Sequence, residues 1–395
     1  MYIMLTSLAL VFICGLFFES VFRKASLPGL LGMLAVGVIL GPYTLNLLDE
    51  SILAISAELR LLALVVILMK AGLTLNVSDL KKVGLSAVFM CFVPACFEIC
   101  GMMLIAPKLL GISVLEAAIM GSVVAAVSPA VVVPRMVKLV EDGYGAKQGI
   151  PQLIMAGASA DDVFVIVLFT SFVSTASGGN ITALTFVKIP LSIIFGVVTG
   201  IFLSRILCAF FRKIRVRDSV KVVVLLSISF LLIELEKIIE NMVPFSGLLA
   251  VIAIGAGLLK YYEVLAYRLS NKFSKLWVAA EIILFVLVGA TVNVEFAFKA
   301  GGKAVALLLL VLCFRLVGVW VCLLFTKLTK QEKLFCMVAY IPKATVQAAI
   351  GGIPLAMGLP CGQVVLTVAV LSIIITAPLG AIGIDATYKK WLKQE

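Results

Sequence analysis

A chain of 395 residues that is 63% hydrophobic and 13% charged, with a mean hydropathy of +1.22, has too little polar surface to cover a water-soluble globule. Its net charge of +11 does not point to nucleic acid, because the basic residues lie in short tracts between apolar runs rather than along one face. There is no histidine, no CxxC pair among the nine cysteines and no GxxxxGK[ST] run, so a transition-metal centre, a nucleotide site and any other cofactor are not expected.

Taken in order, the apolar runs predict about thirteen transmembrane helices: 2–21, 26–43, 54–75, 83–106, 113–137, 149–174, 183–207, 219–240, 245–260, 276–297, 302–326, 331–357 and 361–385. The first lacks a basic leader and a small-residue cleavage signature and reads as a retained helix. Linkers are short, so the chain reads as a single all-α transmembrane transporter domain over 1–395 and not as an enzyme. Most of the 32 Lys and Arg, among them Arg205, Arg212, Lys213, Arg217, Lys327, Lys330 and Lys389, follow odd-numbered runs or lie in the tail. The positive-inside rule then puts the N-terminus outside and the C-terminus in the cytoplasm of a plasma-membrane protein.

Thirteen runs divide as repeat one (2–174), a linker helix (183–207) and repeat two (219–385). An odd offset of seven inverts the second half relative to the first. The fifth run contains Ser128-Pro129-Ala130-Val131-Val132-Val133-Pro134, and its counterpart, the twelfth, contains Ile341-Pro342-Lys343-Ala344-Thr345. Proline removes a backbone donor and breaks or kinks a helix. One such proline is commonly just a kink; two in corresponding runs point to broken helices, at Pro129, Pro134, Pro342 and Thr345, and to an ion site near the midplane.

Charges at bilayer depth sharpen this reading, since each costs several kcal/mol without a partner. Asp161 and Asp162 fall in the middle of the sixth run, Lys343 in the twelfth, Arg315 in the eleventh and Glu98 in the fourth. Neighbouring residues on a helix are turned by about 100°, so the two aspartates face different ways. Glu98 and Arg315 are expected to form a structural ion pair, tolerant of exchanging its two charges, and Lys343 to pair with Asp161. Subtracting both pairs leaves Asp162 as a carboxylate that must hold a proton or a monovalent cation, the chemistry of an antiporter. Ser128, Ser159 and Thr345 offer oxygens to the same ion, although small hydroxyl residues also serve simply to pack membrane helices.

The stretches Ala126–Pro134, Gly143-Tyr144-Gly145 through Pro151, Ala160-Asp161-Asp162, and Glu332–Phe335 through Pro342-Lys343-Ala344-Thr345-Val346-Gln347-Ala348-Ala349 carry a resemblance over nearly the whole chain. They look like the NHA branch of the monovalent cation:proton antiporters. The resemblance implies exchange of Na+ or Li+ for H+ by a homodimer in the lipid bilayer, with a six-helix core moving against a dimerisation domain. It also implies that Asp162 binds ion and proton, with Asp161 beside it and two crossed broken helices around them. Bacterial relatives with paired aspartates carry a lysine where Arg315 stands, and arginine cannot release its proton at accessible pH, which argues against a two-proton electrogenic cycle unless Lys343, a desolvated lysine able to give up its proton, takes the coupling role. Two other readings use the same residues: a K+/H+ antiporter, and a sodium-coupled transporter of an organic solute. A second acid- or amide-rich ion site would favour the solute transporter, and none is evident.

Overall fold

The computed structural model describes residues 4–25, 27–74, 85–145, 147–178, 183–214, 216–239 and 243–394. In chain order its helices are α1 (Met4–Lys24), α2 (Gly29–Leu40), α3 (Glu50–Ala54), α4 (Ser56–Thr74), α5 (Leu85–Met90), α6 (Val93–Leu110), α7 (Val114–Ala125), α8 (Pro129–Glu141) and α9 (Ile150–Gly178). They continue as α10 (Ala183–Lys213), α11 (Asp218–Ile239), α12 (Gly247–Tyr261), α13 (Glu263–Ala290), α14 (Val294–Cys322), α15 (Lys330–Ala339), α16 (Thr345–Ile350), α17 (Ile353–Ala356) and α18 (Gly362–Trp391). Eight helical stretches among the described residues are long and apolar enough to cross a membrane. An all-helical chain follows from the medium, because hydrocarbon supplies no partners and helices satisfy their own backbone groups.

Packing divides the chain into two compact units: Met1–Ala57, Ser78–Val165 and Ile282–Glu395 form one, Glu58–Val77 and Ile166–Glu281 the other. In the second, α10 and α12 run in close contact. A side chain at Gly200 would strike the carbonyl of Ala250, so the small residue sets the helix separation. The C-terminal end of α12 is tied by Arg212, whose Nη2 donates to the Tyr261 carbonyl at 2.6 Å. In the first unit, α6 lies against α7 and α14, and Gly37 of α2 and Gly289 of α13 approach each other's backbone too closely for any larger residue.

Two of the predicted runs are interrupted at their middles, and the interruptions are built alike. A capping box opens α7: the Ser113 amide donates to Glu116 Oε2 at 2.7 Å and the Glu116 amide to Ser113 Oγ at 3.2 Å. Another opens α15, with Thr329 and Glu332 making the same two bonds at 2.7 and 3.3 Å. Downstream, α7 stops at Ala125 and the helix restarts at Pro129; α15 stops at Ala339 and the helix restarts at Thr345. The same interval separates Ser113 from Thr329 and Pro129 from Thr345. Pro129 is the first residue of α8, where its missing N–H costs nothing, and Pro342 lies in the second gap.

Three boundaries differ from the sequence reading. Pro134 lies inside α8, which passes it without a break, so the first interruption belongs to residues 126–128 alone. The fourth run is two helices, α5 and α6, parted at Cys91 and Phe92, because Pro94 has no N–H to donate to the Met90 carbonyl and its ring crowds that turn. Finally, α13 begins at Glu263, well ahead of the apolar run read from 276: its early turns are amphipathic, burying Leu265, Leu269 and Phe273 while carrying Arg268, Lys272 and Lys275, so mean hydropathy does not register them.

Candidate functional site

Where a helix stops inside a membrane protein, its last carbonyls and the next first amides need partners. At the first break these are the carbonyls of Val124, Ala125 and Ala126 and the amides of Val127 and Ser128. At the second they include the carbonyls of Tyr340 and Pro342. The two breaks meet directly, the Ser128 amide donating to the Pro342 carbonyl at 2.7 Å. Side chains take the remaining groups, and all of them lie in the first unit.

Arg315 of α14, with no exposed surface, holds the helix ends of both breaks. Its Nε donates to the Tyr340 carbonyl at 2.9 Å and its Nη1 to the Ala125 carbonyl. The same guanidinium reaches Glu98 Oε2 of α6 at 2.9 Å and, through Nη2, Asp161 Oδ2 of α9 at 2.9 Å. The carbonyl end of a helix attracts positive charge, and the planar five-donor fork of arginine can satisfy four acceptors in different directions where an ammonium could not. Underneath, the Tyr340 ring centroid lies 5.5 Å from the guanidinium carbon.

Lys343 does not pair with Asp161. Its Nζ lies 2.7 and 2.8 Å from the two oxygens of Glu98 and donates to the Val124 carbonyl at 2.7 Å. The expected pairing was drawn from depth along a helix. Lys343 instead sits in unwound backbone, fixed by its amide donating to Thr376 Oγ1 of α18 at 3.0 Å, so helical geometry does not govern its direction. The Glu98–Arg315 contact is present but is not isolated: Glu98 bridges two cations and Arg315 two carboxylates. Asp161 Oδ2 also accepts the Val127 amide at 2.9 Å, answering the positive start of α8.

Two cations and two carboxylates make this buried network neutral. Asp162, half-buried on the next position of α9, stands outside it: it has no ion-pair partner among the described residues, and its Oδ1 is shielded from solvent without a hydrogen bond. Three further oxygens nearby in the chain or across the breaks are likewise shielded and unpartnered, Asp161 Oδ1, Ser128 Oγ and Gln347 Oε1. Thr345 is buried at the start of α16, and the side chain of Ser159 lies outside the described residues. Oxygen donors of this kind, carboxylate, hydroxyl and amide, suit a hard cation stripped of part of its water.

Four participants were not singled out from sequence: Gln347, Tyr340, Thr376 and the backbone of 124–127. Gln347 Nε2 donates to the carbonyls of Val124 and Ala126 at 3.1 and 2.8 Å. An amide side chain deep in an apolar run was a usable signal, because it must find partners there; backbone carbonyls leave no such mark. Gly157, one turn before Asp161, makes room for the Tyr340 hydroxyl, which a Cβ would strike.

Residues 8–390 match the family described as sodium/hydrogen exchanger, transmembrane. The chain is 33% identical over 380 residues to sodium/hydrogen exchanger 9B2 of Mus musculus, covering 90% of this chain and 67% of that protein. Against the Homo sapiens 9B2 protein it is 33% identical over 373 residues, covering 90% and 68%, and against Homo sapiens 9B1 31% identical over 373 residues, covering 90% and 71%. Among solved structures, the sodium proton antiporter MjNhaP1 from Methanocaldococcus jannaschii superposes with a TM-score of 0.84 over 97% of both chains at 17% identity, a likeness of fold.

Proposed function

The chain belongs to the sodium/hydrogen exchanger family, and from that premise we propose that it exchanges Na+ or Li+ for H+ across a lipid bilayer by alternating access. The observation that carries the reading is Asp162, a carboxylate left unpaired beside a network that is already neutral. An uncompensated charge at bilayer depth costs several kcal/mol. The occluded carrier therefore crosses between its two faces only when Asp162 holds a proton or a cation, and returns only with the other. This obligatory occupancy is the coupling.

Asp161 is anchored through one oxygen and lends the other to the ion, with Ser128 as a neutral ligand. Glu98, Arg315 and Lys343 hold the crossing closed. In this reading the protein is a homodimer in the plasma membrane, with its N-terminus outside and its C-terminus in the cytoplasm, as the basic loops support.

Asp162→Asn keeps the shape and removes the titrating group. In everted vesicles carrying a pH-sensitive dye, addition of Na+ or Li+ should drive proton movement in the wild type, more strongly than K+, and the variant should show none while eluting as a folded species in size-exclusion chromatography. Exchange that survives the substitution would overturn the assignment.

A further inference from the structure

We propose that Gln347 is a direct oxygen ligand of the transported cation and a determinant of which monovalent ion the site accepts, an inference that rests on the exchange reading above. The amide has a fixed orientation. Both groups within reach of one end of it are carbonyl oxygens, of Val124 and Ala126, which only accept; the nitrogen must face them, and both its hydrogens are used. The carbonyl oxygen is thereby turned the other way, shielded from solvent and without a partner, on a side chain only 1% exposed. A buried acceptor with no donor is unfavourable unless something else occupies it.

Its company indicates what that occupant is. Seven buried side-chain atoms lack partners among the described residues. Four of them are the oxygens of Ser128, Asp161, Asp162 and Gln347, and Ser128, Asp161 and Gln347 all lie in or bond to the unwound segment 126–128. With both carboxylates ionised, no donor hydrogen is available among these four groups except the Ser128 hydroxyl, so they do not satisfy one another in that state, and a cation would serve them all. Gln347 also brings the second break to the ion, Ser128 bringing the first, so that the bound cation touches both half-helices. Being neutral, the amide adds coordination without adding a charge that would have to be neutralised in the proton-loaded form. Because its nitrogen is pinned at two points, its oxygen cannot retreat to admit a larger ion, and this pre-organisation is what selects by size.

Gln347→Met retains the length of the side chain and removes the carbonyl oxygen together with the N–H donors to Val124 and Ala126, so loss of the ligand is read from the cation KM values and loss of the clamp from the maximal rate. In the vesicle assay it should raise the apparent KM for Na+ at least tenfold and change the ratio of KM values for Na+ and Li+, beyond any fall in the maximal rate at saturating cation. The upward shift in melting temperature that Na+ gives the purified wild type should shrink in parallel. Should the methionine variant not fold, Gln347→Asn draws the same oxygen back by one methylene and should move the preference from Na+ toward K+. A fall in maximal rate with the KM values for Na+ and Li+ unchanged would make Gln347 a clamp on the breaks and nothing more, overturning the proposal; so would unchanged kinetics. Failure of the exchange reading has a different signature, wild-type vesicles that move no protons, and in that event the Na+-dependent melting shift still decides whether Gln347 is a ligand.

Discussion

The two broken helices share a plan and differ in chemistry. At the first break, residues 126–128 are small and apolar apart from one serine, and what they present is backbone: three carbonyls ending α7 and two amides opening α8. At the second, the backbone contributes the Tyr340 and Pro342 carbonyls, while Lys343 and Gln347 reach across and take the carbonyls of the first. One break is a rack of dipoles and the other supplies the groups that grip it. Like spacing from capping box to break has therefore not produced like roles at the two breaks. Arg315 sits between them, holding a carbonyl from each.

The largest predicted effect tests whether the charges that grip the breaks act as one network. Arg315→Met leaves two buried carboxylates short of a partner and two helix ends unsatisfied, a loss of about 3–5 kcal/mol. Exchanging the charges of Glu98 and Arg315 should do no better, since the introduced arginine would face Lys343 and the introduced glutamate would face Asp161. Thermal melting of the purified protein reads both; a doubly exchanged protein as stable as wild type would mean that the pair stands alone. A smaller effect tests the packing beneath the second break. Gly157→Ala should destabilise by about 1–3 kcal/mol through collision with the Tyr340 hydroxyl, and adding Tyr340→Phe should recover most of the loss. Recovery absent in the double variant would show that the glycine is needed for another reason. The smallest effect belongs to the control. Arg135 of α8 pairs with Asp385 at 3.2 Å, but the Asp385 side chain is 56% exposed, so Arg135→Ala should change the stability by no more than about 0.5 kcal/mol. A loss comparable to that of Arg315→Met would shift the weight of the argument away from the breaks.

Much of this was legible in the residues. Hydropathy marked the chain as all-helical and membrane-spanning, and depth within each run singled out Glu98, Asp161, Arg315 and Lys343, which the fold brings together. What failed was direction. Lys343 was assigned to Asp161 because both lie at mid-membrane, yet a side chain on unwound backbone points where its local bonds send it, and Thr376 and Glu98 were decisive. Pro134 looked like Pro129 in sequence, but Pro129 opens α8, where no N–H is needed, whereas α8 continues past Pro134 at the loss of one backbone bond. The partners of most of the polar groups here are main-chain carbonyls, which every residue has and no residue type announces.

The paired capping boxes have a consequence of their own. Each fixes the zero of a ruler: from Ser113 to the first gap, and from Thr329 to the second, the helix delivers its last carbonyls at a set height and angle. One residue added between Ser113 and Ala125 would advance those carbonyls by ~1.5 Å and turn them by about 100°, carrying all three away from Arg315, Lys343 and Gln347 together. Substitution can be graded along this stretch, but length cannot, and of all the segments around the ion these two half-helices are the ones in which a change in residue number has no gentle form.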